Sequence, residues 1–204
     1  MVIVIIGVNG RMGKLLYEHY KNKFDIIGVD TKACGFSSFN SIEDINRKVD
    51  IVIDFSSTSA ISELIYALKN NMIVICGTTG YNQNQIEMLS EIGNGNFYYS
   101  SNYAKGINVF TKIVKEVNKD YNDFDLVEIH SSKKKDIPSG TAKMIANKLE
   151  FNNSKIQSLR LKNANPIHKI IFTDNYERIT ITHEITSPMA FIEGVNEVLK
   201  QIIT

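Results

Sequence analysis

Residues 128–142, Glu-Ile-His-Ser-Ser-Lys-Lys-Lys-Asp-Ile-Pro-Ser-Gly-Thr-Ala, gather the side chains of this chain best suited to chemistry. His130 follows an apolar run, Phe124, Leu126, Val127 and Ile129, that reads as a strand. Lys133, Lys134 and Lys135 follow it, and then a Pro-Ser-Gly-Thr turn that opens a helix with Ala142, Met144, Ile145, Ala146 and Leu149 as its apolar stripe. Ser139 or Thr141 is placed to cap that helix. The unpaired N–H groups of a helix's first turn and the positive end of its macrodipole both attract anions. With lysines just upstream, the stretch suggests a pocket for a small polycarboxylate or phosphate. Alone, a three-lysine run more often reads as a solvated loop and a single histidine as a packed residue. The rest of the chain shifts that balance.

Residues 2–6, Val-Ile-Val-Ile-Ile, are the β-branched run of a strand buried on both faces of a parallel sheet. Gly7-Val8-Asn9-Gly10-Arg11-Met12-Gly13 follows at once, then a helical stretch through Leu15, Leu16 and Tyr20, and a second strand, 25–29, ending in Asp30. Strand, glycine turn, helix, strand and acidic residue in this order form a dinucleotide-binding arrangement. Glycines there permit a tight turn, close approach of backbone to a pyrophosphate, and helix–strand packing. Asp30 is placed to accept hydrogen bonds from the adenosine ribose. Asn9 stands where the middle glycine usually does, and asparagine tolerates a left-handed backbone better than most residues.

Further along, a short helix is expected around 42–47, a third strand at 49–55, a helix at 60–69 and a fourth strand at 72–76 leading into Gly77-Thr78-Thr79-Gly80. Small hydroxyl and glycine residues at strand ends line the carboxyl edge of an open α/β sheet, where ligands bind. A helix at 82–92 and a strand at 97–100 continue the alternation, so a Rossmann-type domain is expected over residues 1–104. A helix at 107–117 precedes the strand carrying His130. Residues 156–162, 168–173 and 177–185 alternate like antiparallel strands, with Asp174-Asn175 as a hairpin turn. A last helix spans 190–203. The fold class is therefore α/β: a parallel-sheet domain plus a smaller α+β domain over 105–188.

Composition excludes several classes. With a formal net charge of +1 over 204 residues there is no global basic field of a nucleic-acid binder. No run is long and apolar enough to span a membrane, and Met1 leads straight into a strand, which argues against a signal peptide. Cys34 and Cys76 lack ligand spacing and are expected to be reduced thiols. His130, His168 and His183 have no paired metal-ligand spacing, and the last two read as structural. A cytoplasmic protein is expected.

These residues support a family. The chain resembles the dihydrodipicolinate reductases (4-hydroxy-tetrahydrodipicolinate reductases) nearly end to end, in a short form. The resemblance rests on Gly7-x-x-Gly-Arg-Met-Gly13, Gly77-Thr-Thr-Gly80, Ser101-Asn102-Tyr103 through Gly106-Ile-Asn108, and above all Glu128-x-His130 followed by Lys134-x-Asp-x-Pro-Ser-Gly-Thr-Ala142. It implies a first domain completed by the C-terminal helix, 189–204, hydride transfer from NADH or NADPH to C4 of a cyclic dicarboxylate imine, protonation of the neighbouring carbon, and a homotetramer built on the second domain. It implies His130 as general acid, Lys134 as the catalytic, substrate-contacting lysine, and Ser131, Ser139, Gly140 and Thr141 at the substrate. It implies Gly7, Asn9, Gly10, Arg11, Met12, Gly13, Asp30, Phe55, Gly77, Thr78, Thr79, Ser101, Asn102 and Tyr103 at the cofactor, with no metal.

Three departures stand out. The family's His-His pair is His130-Ser131 here, an arginine usual before the last helix is replaced by Pro188, and the loop after Asp30 is short. Asp30 favours NADH, since a carboxylate repels the 2′-phosphate of NADPH, whereas nearby Lys32 offers that phosphate a counter-charge. Two rival readings are a non-catalytic NAD-binding sensor and a related, aspartate-dehydrogenase-like enzyme acting on another dicarboxylate. The intact His130, Lys134 and Ser139–Thr141 set speaks against the sensor, and its spacing against the other enzyme.

Overall fold

The computed structural model describes residues 1–32, 35–121 and 123–203, so Cys34 lies outside the described residues. The chain divides into two compact units, Met1–Ser101 with Val195–Thr204, and Asn102–Gly194.

The first unit is a five-stranded parallel sheet, β1 (Val2–Ile6), β2 (Asp25–Val29), β3 (Ile51–Asp54), β4 (Ile73–Cys76) and β5 (Phe97–Tyr99), in the order β2-β1-β3-β4-β5. Its helices are α1 (Arg11–Tyr20), α2 (Ile61–Lys69) and α3 (Gln83–Gly93). The β-branched runs of β1 and β3 are buried on both faces, as a sheet covered by helices requires. Val4, Ile6, Val52, Leu64, Leu68, Val74 and Leu89 fill one core between sheet and helices. Each such side chain contributes roughly 1.5–3 kcal/mol by leaving water. A reciprocal cap between Asn82 and Gln85 starts α3, and Asn94, at φ +42°, ends it in the left-handed region. The sheet order reverses between β1 and β3, the crevice where nucleotides bind in such folds.

The second unit packs α4 (Lys105–Val117) and α5 (Gly140–Lys148) on one face of a four-stranded sheet. The strands are β6 (Phe124–Ser131), β7 (Gln157–Leu161), β8 (Ile167–Thr173) and β9 (Arg178–Glu184), in the order β7-β6-β8-β9. In α4, Ile107, Phe110, Thr111 and Val114 fall three and four apart and form the buried stripe. They meet Leu126, Ile170 and Phe172 from the sheet and Ala142 and Ile145 from α5. β8 and β9 form the expected hairpin, its turn held by Asp174 Oδ1, which accepts from the Tyr176 and Glu177 N–H groups at 2.8 Å each.

One strand runs against expectation. β7 pairs with β6 in parallel, not antiparallel. The connection passes through α5, and a helical crossover returns the chain in its original direction. Period-two alternation reports which face a residue occupies and carries no direction. On the far sheet face Leu159 and Leu161 are 46 % and 49 % exposed.

The last helix, α6 (Met189–Ile203), has its later turns in the first unit, where the Tyr20 hydroxyl donates to Asn196 Oδ1 at 2.7 Å. Gly194 lets it pass the Tyr103 carbonyl: an added Cβ would sit 1.7 Å from that oxygen. No helix among the described residues is long and apolar enough to cross a membrane.

Candidate active site

The turn after β1 is built on Gly7 and Gly13, neither of which leaves room for a side chain. Gly7 has φ +74°, and its carbonyl accepts from the Gly10 N–H at 2.9 Å. A Cβ on Gly13 would lie 2.1 Å from that same carbonyl oxygen. α1 begins after Gly10 with no side-chain cap and no acidic residue in its first turn, which suits a diphosphate. The glycine cradle therefore fits a dinucleotide. The cleft beside it, about 670 Å³, is lined by Gly7, Asn9, Gly10, Arg11, Met12, Asp30 and Phe55 from the expected set. Ser56 and Ser57, hydroxyl residues at the end of the third strand, line it too, as do Thr31, Asn40 and Glu63, which sequence reasoning did not single out.

Asn9 is not in the left-handed region, contrary to the reason offered for it above. Its side chain ties down the loop after β2: Oδ1 accepts from the Phe36 N–H at 3.1 Å, and Nδ2 donates to the Lys32 carbonyl at 3.5 Å. The Asn9 N–H donates to Asp30 Oδ2 at 3.0 Å, so Asp30 is fixed beside the turn. Lys32 is exposed.

The remaining cofactor candidates do not line this cleft. Gly77 lies under Phe55, whose ring an added Cβ would meet at 2.2 Å. Thr78 Oγ1 accepts from the Ser56 N–H at 2.8 Å, while Thr79 is exposed. Ser101 closes the first unit. Asn102 and Tyr103 are buried in the second, and Asn102 donates to Thr141 Oγ1 at 3.2 Å. Beneath the turn, the fully buried Asp54 accepts from Ser56 Oγ at 2.5 Å and from Cys76 Sγ at 3.3 Å. Burial pushes both the Asp54 carboxyl and the Cys76 thiol upward.

In the second unit, β6 alternation puts Leu126, Glu128 and His130 on the helix-covered face and Ser131 on the other. Glu128 is fully buried; one oxygen meets His130 Nδ1, and the other accepts from Arg160 Nη2 at 2.7 Å. Burial opposes its charge, but the hydrogen bonds from His130 and Arg160 prevail and lower the carboxyl to about 2. An ionised carboxylate only accepts, so His130 carries a proton on Nδ1 and presents Nε2 as its second proton-binding atom.

Of the lysine run, Lys133 and Lys135 are exposed, whereas Lys134 is partly buried with Nζ 2.9 Å from Asp136 Oδ1. For Asp136, burial is outweighed by Lys134, and the carboxyl is lowered. Ser139, not Thr141, caps α5, its Oγ accepting from the Ala142 N–H at 3.2 Å. Ser139 and Thr141 are buried at that helix start. The structure thus joins His130 to Glu128 and Lys134 to Asp136, and leaves Ser131 on the opposite sheet face.

His168, read as structural, lies against His130, and His183 lies against His168. The His130 and His168 rings stand 5.4 Å apart edge-on, and His168 and His183 are cross-strand neighbours at 6.1 Å. His168 is buried, and neither ring nitrogen has a hydrogen-bond partner among the described residues. Burial, then the His130 and His183 charges, lower it to about 3.

The unfolded chain protonates this ring below its ordinary 6.5, while the folded chain resists. Stability is therefore fully present above pH 6.5 and is lost as pH falls toward 3. Glu128 adds a loss between its ordinary 4.5 and about 2. The unfolding free energy should fall by about 2 kcal/mol between pH 7 and 5, measured by urea titration. His168→Leu should flatten that slope; an unchanged slope would remove His168 as its source.

Three comparisons bear on this arrangement. The family model described as dihydrodipicolinate reductase, N-terminus, matches residues 1–103, and the one described as dihydrodipicolinate reductase, C-terminus, matches residues 106–204. The chain belongs to the dihydrodipicolinate reductase family. A relative from Rickettsia peacockii (strain Rustic), named 4-hydroxy-tetrahydrodipicolinate reductase, is 33 % identical over 94 % of this chain and 89 % of its own. One of the same name from Wigglesworthia glossinidia brevipalpis is 31 % identical over 94 % and 84 %. A dipicolinate-bound dihydrodipicolinate reductase from Paenisporosarcina sp. TG-14 superposes with a TM-score of 0.77 at 20 % identity, covering 99 % of this chain and 94 % of that one. Aspartate dehydrogenase from Thermotoga maritima shares the fold at TM-score 0.61 and 16 % identity, over 100 % and 97 %. Membership in the dihydrodipicolinate reductase family makes this chain a nicotinamide-dependent oxidoreductase.

Proposed function

We propose that this chain is a 4-hydroxy-tetrahydrodipicolinate reductase, reducing a cyclic dicarboxylate imine to tetrahydrodipicolinate in lysine and diaminopimelate biosynthesis. The observation that carries this reading is the stretch from Glu128 to Thr141, which supplies a proton-bearing imidazole, a lysine and a capped helix start within one strand–turn–helix.

When bound, the nicotinamide supplies the hydride. His130 Nε2 delivers the proton that completes the reduction. Lys134 leaves Asp136 for a substrate carboxylate, and the first turn of α5 at Gly140 and Thr141 donates to it. In the first unit the glycine turn and Arg11 hold the diphosphate, and Asp30, held by the Asn9 N–H, accepts from the adenosine ribose. Residues 1–104 with 189–204 serve as the dinucleotide-binding domain, and 105–188 as the substrate and oligomerisation domain. We further infer that NADH is used at least as well as NADPH. The apolar far face of the second unit's sheet, with Leu159 and Leu161, supports a homotetramer. A solution mass of one chain would sink that inference.

The test is oxidation of NADH and NADPH dependent on freshly made dihydrodipicolinate, with Lys134→Ala alongside. A lost charge-assisted hydrogen bond contributes roughly 1.5–3 kcal/mol, so kcat/KM should fall about 10- to 150-fold. Turnover independent of Lys134 would overturn the assignment. No turnover at all, with NADH still binding in a titration, would favour the sensor reading suggested by Ser131 and Pro188.

A further inference from the structure

β7 has no part in the chemistry proposed above, yet it supplies the most heavily bonded side chain near it. Arg160 is a parallel-register partner of His130 and points to the same sheet face. Its Nη2 donates to Glu128 Oε1 at 2.7 Å and to the Asp136 carbonyl at 2.6 Å. Its Nε donates to the Lys134 carbonyl at 3.3 Å, and Nη1 to the Leu159 carbonyl at 2.8 Å. The side chain is 12 % exposed, and the carboxylate it meets is fully buried.

A carboxylate in that position is tolerable only if paired. It is paired on both oxygens, to Arg160 and to His130. The guanidinium thereby does two things at once. Through Glu128 it sets the tautomer of His130, and through two backbone carbonyls it fixes the turn that carries Lys134. A lysine ammonium cannot reproduce this, because the bonds leave a planar fork in several fixed directions.

We propose that Arg160 and Glu128 are positioning residues for the reductase reaction, one guanidinium–carboxylate pair holding both His130 and Lys134 in place. The proposal rests on the reading of His130 and Lys134 as the reacting pair. Glu128 holds the proton of His130 on Nδ1, so removing its charge frees the ring to take the other tautomer and lowers kcat. Arg160 keeps the turn rigid, so weakening it raises the substrate KM and leaves the coenzyme KM alone.

The experiment compares Glu128→Gln, Arg160→Lys and His130→Gln with the parent enzyme. It reads kcat and KM across pH, NADH titration, and the 15N shifts of the His130 ring, which report its tautomer without turnover. Glu128→Gln should lose about 10- to 100-fold in kcat and disturb the tautomer. Arg160→Lys, which keeps the charge, should raise the substrate KM several-fold and leave the tautomer in place. If Glu128→Gln leaves Arg160 buried and unfolds the chain, Glu128→Gln/Arg160→Met removes both charges and reads the same kcat and ring shifts.

A loss of activity in His130→Gln alone, with the kcat and tautomer of Glu128→Gln unmoved, would overturn the positioning role and spare the function. Full activity in His130→Gln would overturn both. Lower thermal stability with unchanged kcat, substrate KM and tautomer would reduce the pair to scaffolding and overturn the proposal.

Discussion

His130→Gln is expected to lower kcat roughly 10²–10⁴-fold, the usual contribution of a positioned general acid, with little change in NADH affinity. Glutamine is the informative replacement, because its amide can still donate to the ionised Glu128 and keep that buried charge partnered. It has no atom that gains and loses a proton near neutral pH. A loss confined to kcat would therefore report proton delivery, whereas a loss shared with the substrate KM would report binding. Lys134→Ala should divide the other way, with more of its effect in KM, because its partner is a carboxylate present in both ground and transition states. Steady-state kinetics of the two variants side by side make the check. A His130→Gln enzyme with the parental kcat would place the proton donor elsewhere.

How much of this was legible in the sequence depends on the range of the signal. The glycine turn of the first unit could be read because its strand, turn and helix are contiguous and each has its own local signature. The role of Asn9 could not, because it depends on where the loop bearing Phe36 returns. The direction of β7 was misread because alternation is blind to strand direction. His130 and the 133–135 lysine run stood out locally, the choice of Lys134 and the roles of both came with the family resemblance, and Glu128, two residues before His130 in a strand, shares its face by parity alone. Arg160 gave no signal: 32 residues separate it from Glu128, and only the β6–β7 register brings them together. The same holds for His168, whose approach to His130 follows from the pairing of β8 with β6, and for His183, which the pairing of β9 with β8 sets beside His168.

Gly13→Ala should have the largest effect of any single-methyl change in the chain's first turn. The added carbon would sit 2.1 Å from the Gly7 carbonyl oxygen, 2.6 Å from the Val8 Cα and 2.8 Å from the Gly7 carbonyl carbon. All three are backbone atoms, so no side chain can rotate away, and α1 must back off the turn. Overpacking of this kind costs about 1–3 kcal/mol even where side chains can adjust. Here the displacement falls on the helix start that faces the coenzyme cleft. Gly10 is the internal control: its added carbon would be 3.1 Å from the same oxygen, a contact that a few tenths of an ångström relieve. Isothermal titration with NADH should find Gly13→Ala weaker by at least about tenfold, or unfolded, and Gly10→Ala close to the parent. Equal affinities for the two would mean that the turn yields, and that helix–strand packing does not set the shape of the coenzyme site.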